Sequence, residues 1–154
     1  MKNYVIRPLK SRDLPNLRKL ARAYWQFETI PGFGNARYQR IAAKISRTPS
    51  MGSIWVAVEG DRLIGYLVVV LLMSLEYGGI AAEIDELYVD VSARGRGVGG
   101  ALLKAARQRL SQKGITQMSL RVGKSNPSAV RFYRRLGFRK RSEYLVMDYQ
   151  RTRG

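Results

Sequence analysis

Apolar and polar positions follow strand or helix spacing along nearly the whole chain. Residues 4–9 (YVIRPL) alternate and predict an edge strand, where Pro8 is tolerated because one side of such a strand makes no ladder bonds. Leu14, Leu17, Leu20, Ala21, Tyr24 and Phe27 recur every three or four positions. That stripe predicts a helix over residues 12–27, capped by Ser11 and carrying Pro15 in its first turn. The run Pro31-Gly32-Phe33-Gly34-Asn35 breaks it, and a second short helix is expected over 36–47. Residues 53–58 and 63–72 are β-rich and joined by Glu59-Gly60-Asp61-Arg62, which predicts a hairpin. A loop over 73–79 leads to a strand over 80–89. A helix over 97–112, ending near Gly114, is followed by a strand over 115–122. The next helix covers 127–136, opened by Asn126 and stopped by Gly137. Strands over 138–141 and 143–149 close the chain. The order β-α-α-β-β-β-α-β-α-β-β describes a mixed α/β sheet with helices on its faces. No repeat or linker interrupts it, so a single domain over 1–154 is expected.

Composition narrows the chemistry. The 154 residues include no cysteine and no histidine. Disulfides, thiol nucleophiles, Ser-His-Asp relays and the commonest zinc sites are thereby excluded, and no metal is expected. The longest apolar run, Leu67 to Met73, falls far short of the roughly 20 residues that cross a bilayer. Met1-Lys2-Asn3-Tyr4 lacks a signal-peptide core, so a cytoplasmic protein with no membrane partner is expected.

Charge is the unusual quantity: 28 Lys and Arg against 11 Asp and Glu give a net +17. Its distribution is uneven. Fourteen basic and no acidic residues lie between Val91 and Ser142, while Glu76, Glu83, Asp85, Glu86 and Asp90 fall within fifteen positions just before. Two sites of opposite charge preference are one reading; a solvated basic face is the other.

The strongest local signal is Val89-Asp90-Val91-Ser92-Ala93-Arg94-Gly95-Arg96-Gly97-Val98-Gly99-Gly100, set between an expected strand and an expected helix. Glycines there permit a sharp turn that exposes successive N–H groups at a helix N-terminus, a site that favours a phosphate anion. Arg94 and Arg96 add positive charge. Gly95 through Gly100 also satisfies G-x-G-x-x-G, yet a dinucleotide fold needs an acidic residue about 20 positions on, and no acid follows before Glu143. Gly123-Lys124-Ser125 ends like a P-loop, but Met118 occupies the position of its first glycine.

Coenzyme A is the third phosphate ligand to consider. Arg94-x-x-Gly97-x-Gly99 resembles the pyrophosphate loop of the GCN5-related N-acetyltransferase (GNAT) superfamily. The similarity extends to Ile84-Asp85-Glu86-Leu87-Tyr88-Val89 before it and to Asn126-x-x-Ala129-x-x-Phe132-Tyr133-x-x-x-Gly137-Phe138 after it. The element order matches over essentially the whole chain. The resemblance implies a GNAT acyl-CoA N-acyltransferase fold using acetyl-CoA as co-substrate. It implies that Leu87, Tyr88 and Val89 offer backbone groups to the pantetheine arm. Gly95, Arg96, Gly97, Val98, Gly99 and Gly100 would cradle the pyrophosphate. Asn126 would hydrogen-bond the cofactor, though it is also a good helix N-cap. Tyr133 would stand beside the sulfur and protonate the departing thiolate, while Phe132 reads as core.

Acetylating an amine requires a neutral nucleophile, and a lysine-like amine costs about 4–5 kcal/mol to deprotonate at pH 7. Without histidine the acidic cluster is the concentrated source of a base. Strict alternation would put Glu83 and Asp85 on one strand face and Ile84, Glu86 and Tyr88 on the other, so that Asp85 and Glu86 point into different sites. The resemblance favours Asp85 near the amine, with Glu86 second, acting through water. Direct transfer in a ternary complex is expected. Arg121 stands where branches that acetylate protein N-termini commonly carry glutamate, which disfavours ribosomal-protein N-termini as acceptors. The acceptor walls are expected from Trp25, Phe27, Glu28, Phe33, Tyr38, Met73 and Tyr77. Expected partners are acetyl-CoA and a primary amine of a small molecule or peptide, with a homodimer permitted. The alternative class is a basic nucleic-acid- or ribosome-binding module on the same fold, which lacks an aromatic-basic stacking signature here.

Overall fold

The computed structural model describes residues 3–151. Its order is β1 (Val5–Pro8), α1 (Leu14–Phe27), α2 (Asn35–Arg47), β2 (Gly52–Glu59), β3 (Arg62–Ser74), β4 (Gly79–Val89), α3 (Val98–Gln112), β5 (Met118–Leu120) and α4 (Pro127–Arg135). The strands form one mixed sheet in the order β1-β2-β3-β4-β5; the first four pair antiparallel, and β4 pairs with β5 in parallel. The molecule divides into two compact units, one through Arg121 and one from Val122 onward. The sheet and the first three helices belong to the first.

Burial explains this order. Every residue of β3 from Leu63 to Val69 is buried, as expected of a central strand covered on both faces. On one face Leu14, Leu17, Leu20 and Ala21 of α1 and Ala42 of α2 pack with Ile54, Val56, Tyr66, Val68 and Tyr88. On the other, α3 crosses where Gly65 lacks a side chain: a Cβ there would lie 3.2 Å from Val98 Cγ1 and 3.1 Å from the Tyr88 carbonyl. The β2–β3 hairpin closes through Gly60, whose φ of +58° suits the first central position of a type II′ turn.

Three expectations change. Ser11 does not cap the first helix. Residues 11–13 form a 3₁₀ turn, and Asp13 accepts from Lys10 N at 2.7 Å and from Arg7 at 2.6 and 3.0 Å, so the carboxylate anchors the start. The strand expected over 115–122 shrinks to Met118–Leu120, because Ile115 N donates to Leu110 O and is used in ending α3. Residues 138–141 and 143–149 form no strand. Leu145 and Met147 are each 88% exposed, and without ladder partners or a covered face an alternating sequence has nothing to stabilise it.

Candidate active site

The turn after β4 is built as a helix entrance. Asp90 accepts from Ser92 N at 3.0 Å and pairs with Arg62 at 3.0 Å, fixing the first bend. Gly95 and Gly97 take φ of +75° and +77°, the left-handed region that glycine enters without a Cβ penalty. Gly97 is the N-cap of α3 and offers no side chain to the helix. The N–H groups of Val98, Gly99 and Gly100 therefore head the helix at the positive end of its dipole. These features fit a pyrophosphate.

The two arginines differ. Arg96 pairs with Glu59, and its carbonyl accepts from Tyr4 at 3.3 Å. Arg94 donates Nε to the Val89 carbonyl at 3.0 Å, and its guanidinium lies 5.0 Å from the Phe27 ring centroid and 5.4 Å from that of Tyr88. Phe27 thus braces the loop. Met73 and Tyr77, also expected as acceptor walls, are exposed near the far end of the β3–β4 hairpin.

Pairing of β4 with β5 stops at Ile84–Leu120. From Asp85 through Val89 the β5 side of β4 lies beyond that ladder, leaving an edge suited to a strand-like arm along Leu87, Tyr88 and Val89. A bulge sits at the same point: Val69 pairs with Ile84 and Val68 with Glu86, so Asp85 is the extra residue. This corrects strict alternation. Ile84 and Glu86 lie on opposite faces, and Asp85 and Glu86 line one cavity instead of two sites.

That cavity, of about 160 Å³, is bordered by Trp25, Tyr38, Ile54, Val68, Asp85 and Glu86. Glu86 is buried, and three donors hold it: Trp25 Nε1 on Oε1 at 2.6 Å, with Tyr38 and Tyr66 hydroxyls on Oε2 at 2.7 and 2.8 Å. The donors come from α1, α2 and β3, so one carboxylate ties both helices to the sheet. Phe33 packs against Trp25 and Tyr38, with ring centroids 5.2 and 5.3 Å away. Tyr66 was absent from the sequence reading; a tyrosine in the otherwise aliphatic run Leu63–Leu72 was its available signal.

Burial raises the Glu86 carboxyl above the ordinary carboxylate range, partly opposed by its three hydrogen bonds. Desolvation at the cavity mouth also raises Asp85, reinforced by Glu83 and opposed by Arg121. Arg121 itself pairs with Glu83 at 3.1 Å. Burial and the Glu86 charge push Tyr38 and Tyr66 well above the usual phenol value, so both remain donors.

In the second unit, Asn126 Oδ1 accepts from Ala129 N at 3.1 Å and caps α4. Tyr133 is half-buried between Phe132 and Phe138, with centroids 5.1 and 5.5 Å away. Phe132, expected as core, is half-buried too.

A mixed sheet with a bulged fourth strand, an edge opening beyond it and a glycine turn leading into a helix is the framework of an acyl-CoA acyltransferase. The chain belongs to the acetyltransferase (GNAT) family, whose profile matches residues 14–138. It is 26% identical to a thialysine N-epsilon-acetyltransferase of Sus scrofa, over 93% of this chain and 88% of that protein. Over 60 residues it is 43% identical to an uncharacterized N-acetyltransferase of Methanocaldococcus jannaschii, covering 39% of this chain and 26% of the relative. The chain spans 26% and 46% of the length of two curated relatives it matches. Its fold aligns with an aminoglycoside N-acetyltransferase, AAC(6')-Iy in complex with CoA, at a TM-score of 0.81 and 20% identity, over 96% of this chain and 94% of that one. Among the described residues no helix is long and apolar enough to cross a membrane, and no group of three or more acidic residues is placed to hold a metal ion.

Proposed function

We propose that this protein, as a single N-acetyltransferase domain, transfers the acetyl group of acetyl-CoA directly to a primary amine. The observation that carries this reading is the junction at Asp85. There the bulge turns Asp85 and Glu86 into one cavity, while the edge from Leu87 to Val89 runs on to the glycine turn. Acceptor and donor sites therefore adjoin the same few residues of β4.

Acetyl-CoA supplies an activated thioester carbonyl. Val98, Gly99 and Gly100 N–H groups, with Gly95, Arg96 and Gly97 shaping the turn, hold its pyrophosphate, and Arg94 adds charge beside them. Leu87, Tyr88 and Val89 align the arm, and Asn126 contacts it near α4. The acceptor nitrogen attacks the carbonyl carbon; a C–N bond forms and the C–S bond breaks. Tyr133 gives its hydroxyl proton to the leaving sulfur, a role assigned through its motif. Asp85 receives the amine proton through water. Its carboxylate accepts no hydrogen bond from the described residues, whereas Glu86 is fully engaged by three donors. Glu86, held by its three donors, fixes Trp25 and Tyr38 as cavity walls.

Near contact, Asp85 and Glu86 outweigh arginines outside the cavity for an ammonium group, because screening sets in over about 8 Å at physiological salt. Arg37, the one cation among the described residues of the lining, donates to the Gly32 carbonyl at 2.8 Å. The small cavity favours a compact amine or the end of an extended one. The test is a panel of primary amines incubated with acetyl-CoA, reading CoA release and product mass. Acetylated amine is expected, with kcat/KM lowered about 100-fold in Asp85→Asn. No acetylated product from any amine, or unchanged turnover in both Asp85→Asn and Glu86→Gln, would overturn it.

A further inference from the structure

A second concavity of the first unit lies away from β4. It is a groove of about 880 Å³ between α1 and α2, on the side of α2 turned away from the Glu86 cavity. Arg18, Arg40, Lys44 and Arg47 line it with Asn35 and Gln39, and no acidic residue does. The chain has no Asp or Glu from residue 29 through 58. Ion pairs between described residues engage Arg7, Arg62, Arg96, Arg121 and Arg141, and none engages the four groove cations. Lys44 and Arg47 complement the C-terminal end of the α2 dipole. Arg40 in mid-helix and Arg18 on α1 have no such local reason.

We infer that this groove binds the phosphate backbone of a duplex nucleic acid. Charge complementarity points there. At 1.5 Å per residue, Arg40, Lys44 and Arg47 span about 10 Å of helix axis, so α2 presents three cations in a row to a run of backbone phosphates. Arg18 faces them from α1, donating to Gln39 at 3.3 Å. The small and polar Asn35, Ala36, Gln39 and Ala43 leave the floor open to a convex backbone. No aromatic residue lines the groove, so bases have nothing to stack on and binding is independent of sequence. The apolar part of the lining is Leu14, 7% exposed, with Ala36 and Ala43, and it holds no aromatic anchor of the kind that centres a protein interface. An anionic bilayer attracts the same four cations but is flat, whereas this groove is concave and takes a convex backbone.

The probe is a mixed-sequence DNA duplex of about 20 base pairs, followed by fluorescence anisotropy across a salt series. One variant carries Arg18→Gln, Arg40→Gln, Lys44→Gln and Arg47→Gln. A charge-matched control carries Lys104→Gln, Arg107→Gln, Arg109→Gln and Lys113→Gln, all exposed positions on or just after α3. Four phosphate contacts contribute about 3.6 to the log–log salt slope. The groove variant should lose most of that and bind over 100-fold more weakly at low salt, while the control stays within about threefold. The triple variant retaining Arg18 should lose about three quarters of the slope change, which keeps the test valid if the Arg18–Gln39 contact matters to folding. Equal weakening in the groove and control variants, no duplex binding by the unmodified protein, or binding to anionic vesicles in place of the duplex would each overturn the inference.

Discussion

Trp25 donates its indole N–H to Glu86 at 2.6 Å, joining residues 61 positions apart. With the Tyr38 and Tyr66 hydroxyls on the same carboxylate, the contact makes Glu86 the common anchor of α1, α2 and the sheet. A buried carboxylate so held is costly to remove, because its donors are then left unpaired. Glu86→Ala should lower unfolding stability by about 3 kcal/mol in urea titration, and Tyr66→Phe by about 1 kcal/mol. If Glu86→Ala matches the wild type, the knot is not an anchor.

The buried acids should give opposite pH signatures. Arg7 holds Asp13 below the ordinary carboxylate range, so its stabilisation is present above that range and is lost as pH falls through the depressed folded value. Asp13→Asn should cost about 2 kcal/mol at pH 7 and progressively less in acid. Burial raises Glu86, so its contribution is most favourable at low pH and declines as pH rises from its unfolded value through the raised folded one. Relative to Glu86→Gln, the wild type should therefore lose stability with rising pH across that window. Unfolding curves of both variants over a pH series check both signs.

At the glycine turn, conformation and ligand binding can be separated. Gly97→Ala places a Cβ on a left-handed residue and should cost about 1 kcal/mol of stability. Gly97→Glu adds a negative side chain beside the first-turn N–H groups of α3. It should remain folded yet lose the rise in melting temperature that saturating CoA gives the wild type. An equal thermal shift in both proteins would remove the phosphate from this turn.

Tyr133→Phe keeps the ring that packs against Phe132 and Phe138 and removes only the hydroxyl. A proton donated as the C–S bond breaks belongs to the transition state. kcat should fall about 100-fold with CoA affinity nearly unchanged. An unaltered single-turnover rate would reduce Tyr133 to packing.

What the chain determined by itself is local. The Arg94 to Gly100 turn, the stripe of α1, the hairpin at Gly60 and the Asn126 cap each depend on neighbours a few positions away. Backbone freedom, periodicity and capping are short-range properties, so these features were legible in the sequence. Ser11 shows the limit: it satisfies a capping pattern, yet Asp13 governs the helix start because Arg7, on a strand, reaches it.

Tertiary structure decided the rest. Sequence alternation separated Asp85 from Glu86; pairing with β3 inserted Asp85 as a bulge and put both on one cavity. No local rule marks that bulge, because it is a mismatch between two strands, not a property of either. Likewise the partners of Glu86 lie 61, 48 and 20 positions away and meet only when α1, α2 and β3 pack. The charge excess was plain in composition. Which cations remain unpaired, and that four of them line one groove, follows only from where the fold places the few carboxylates.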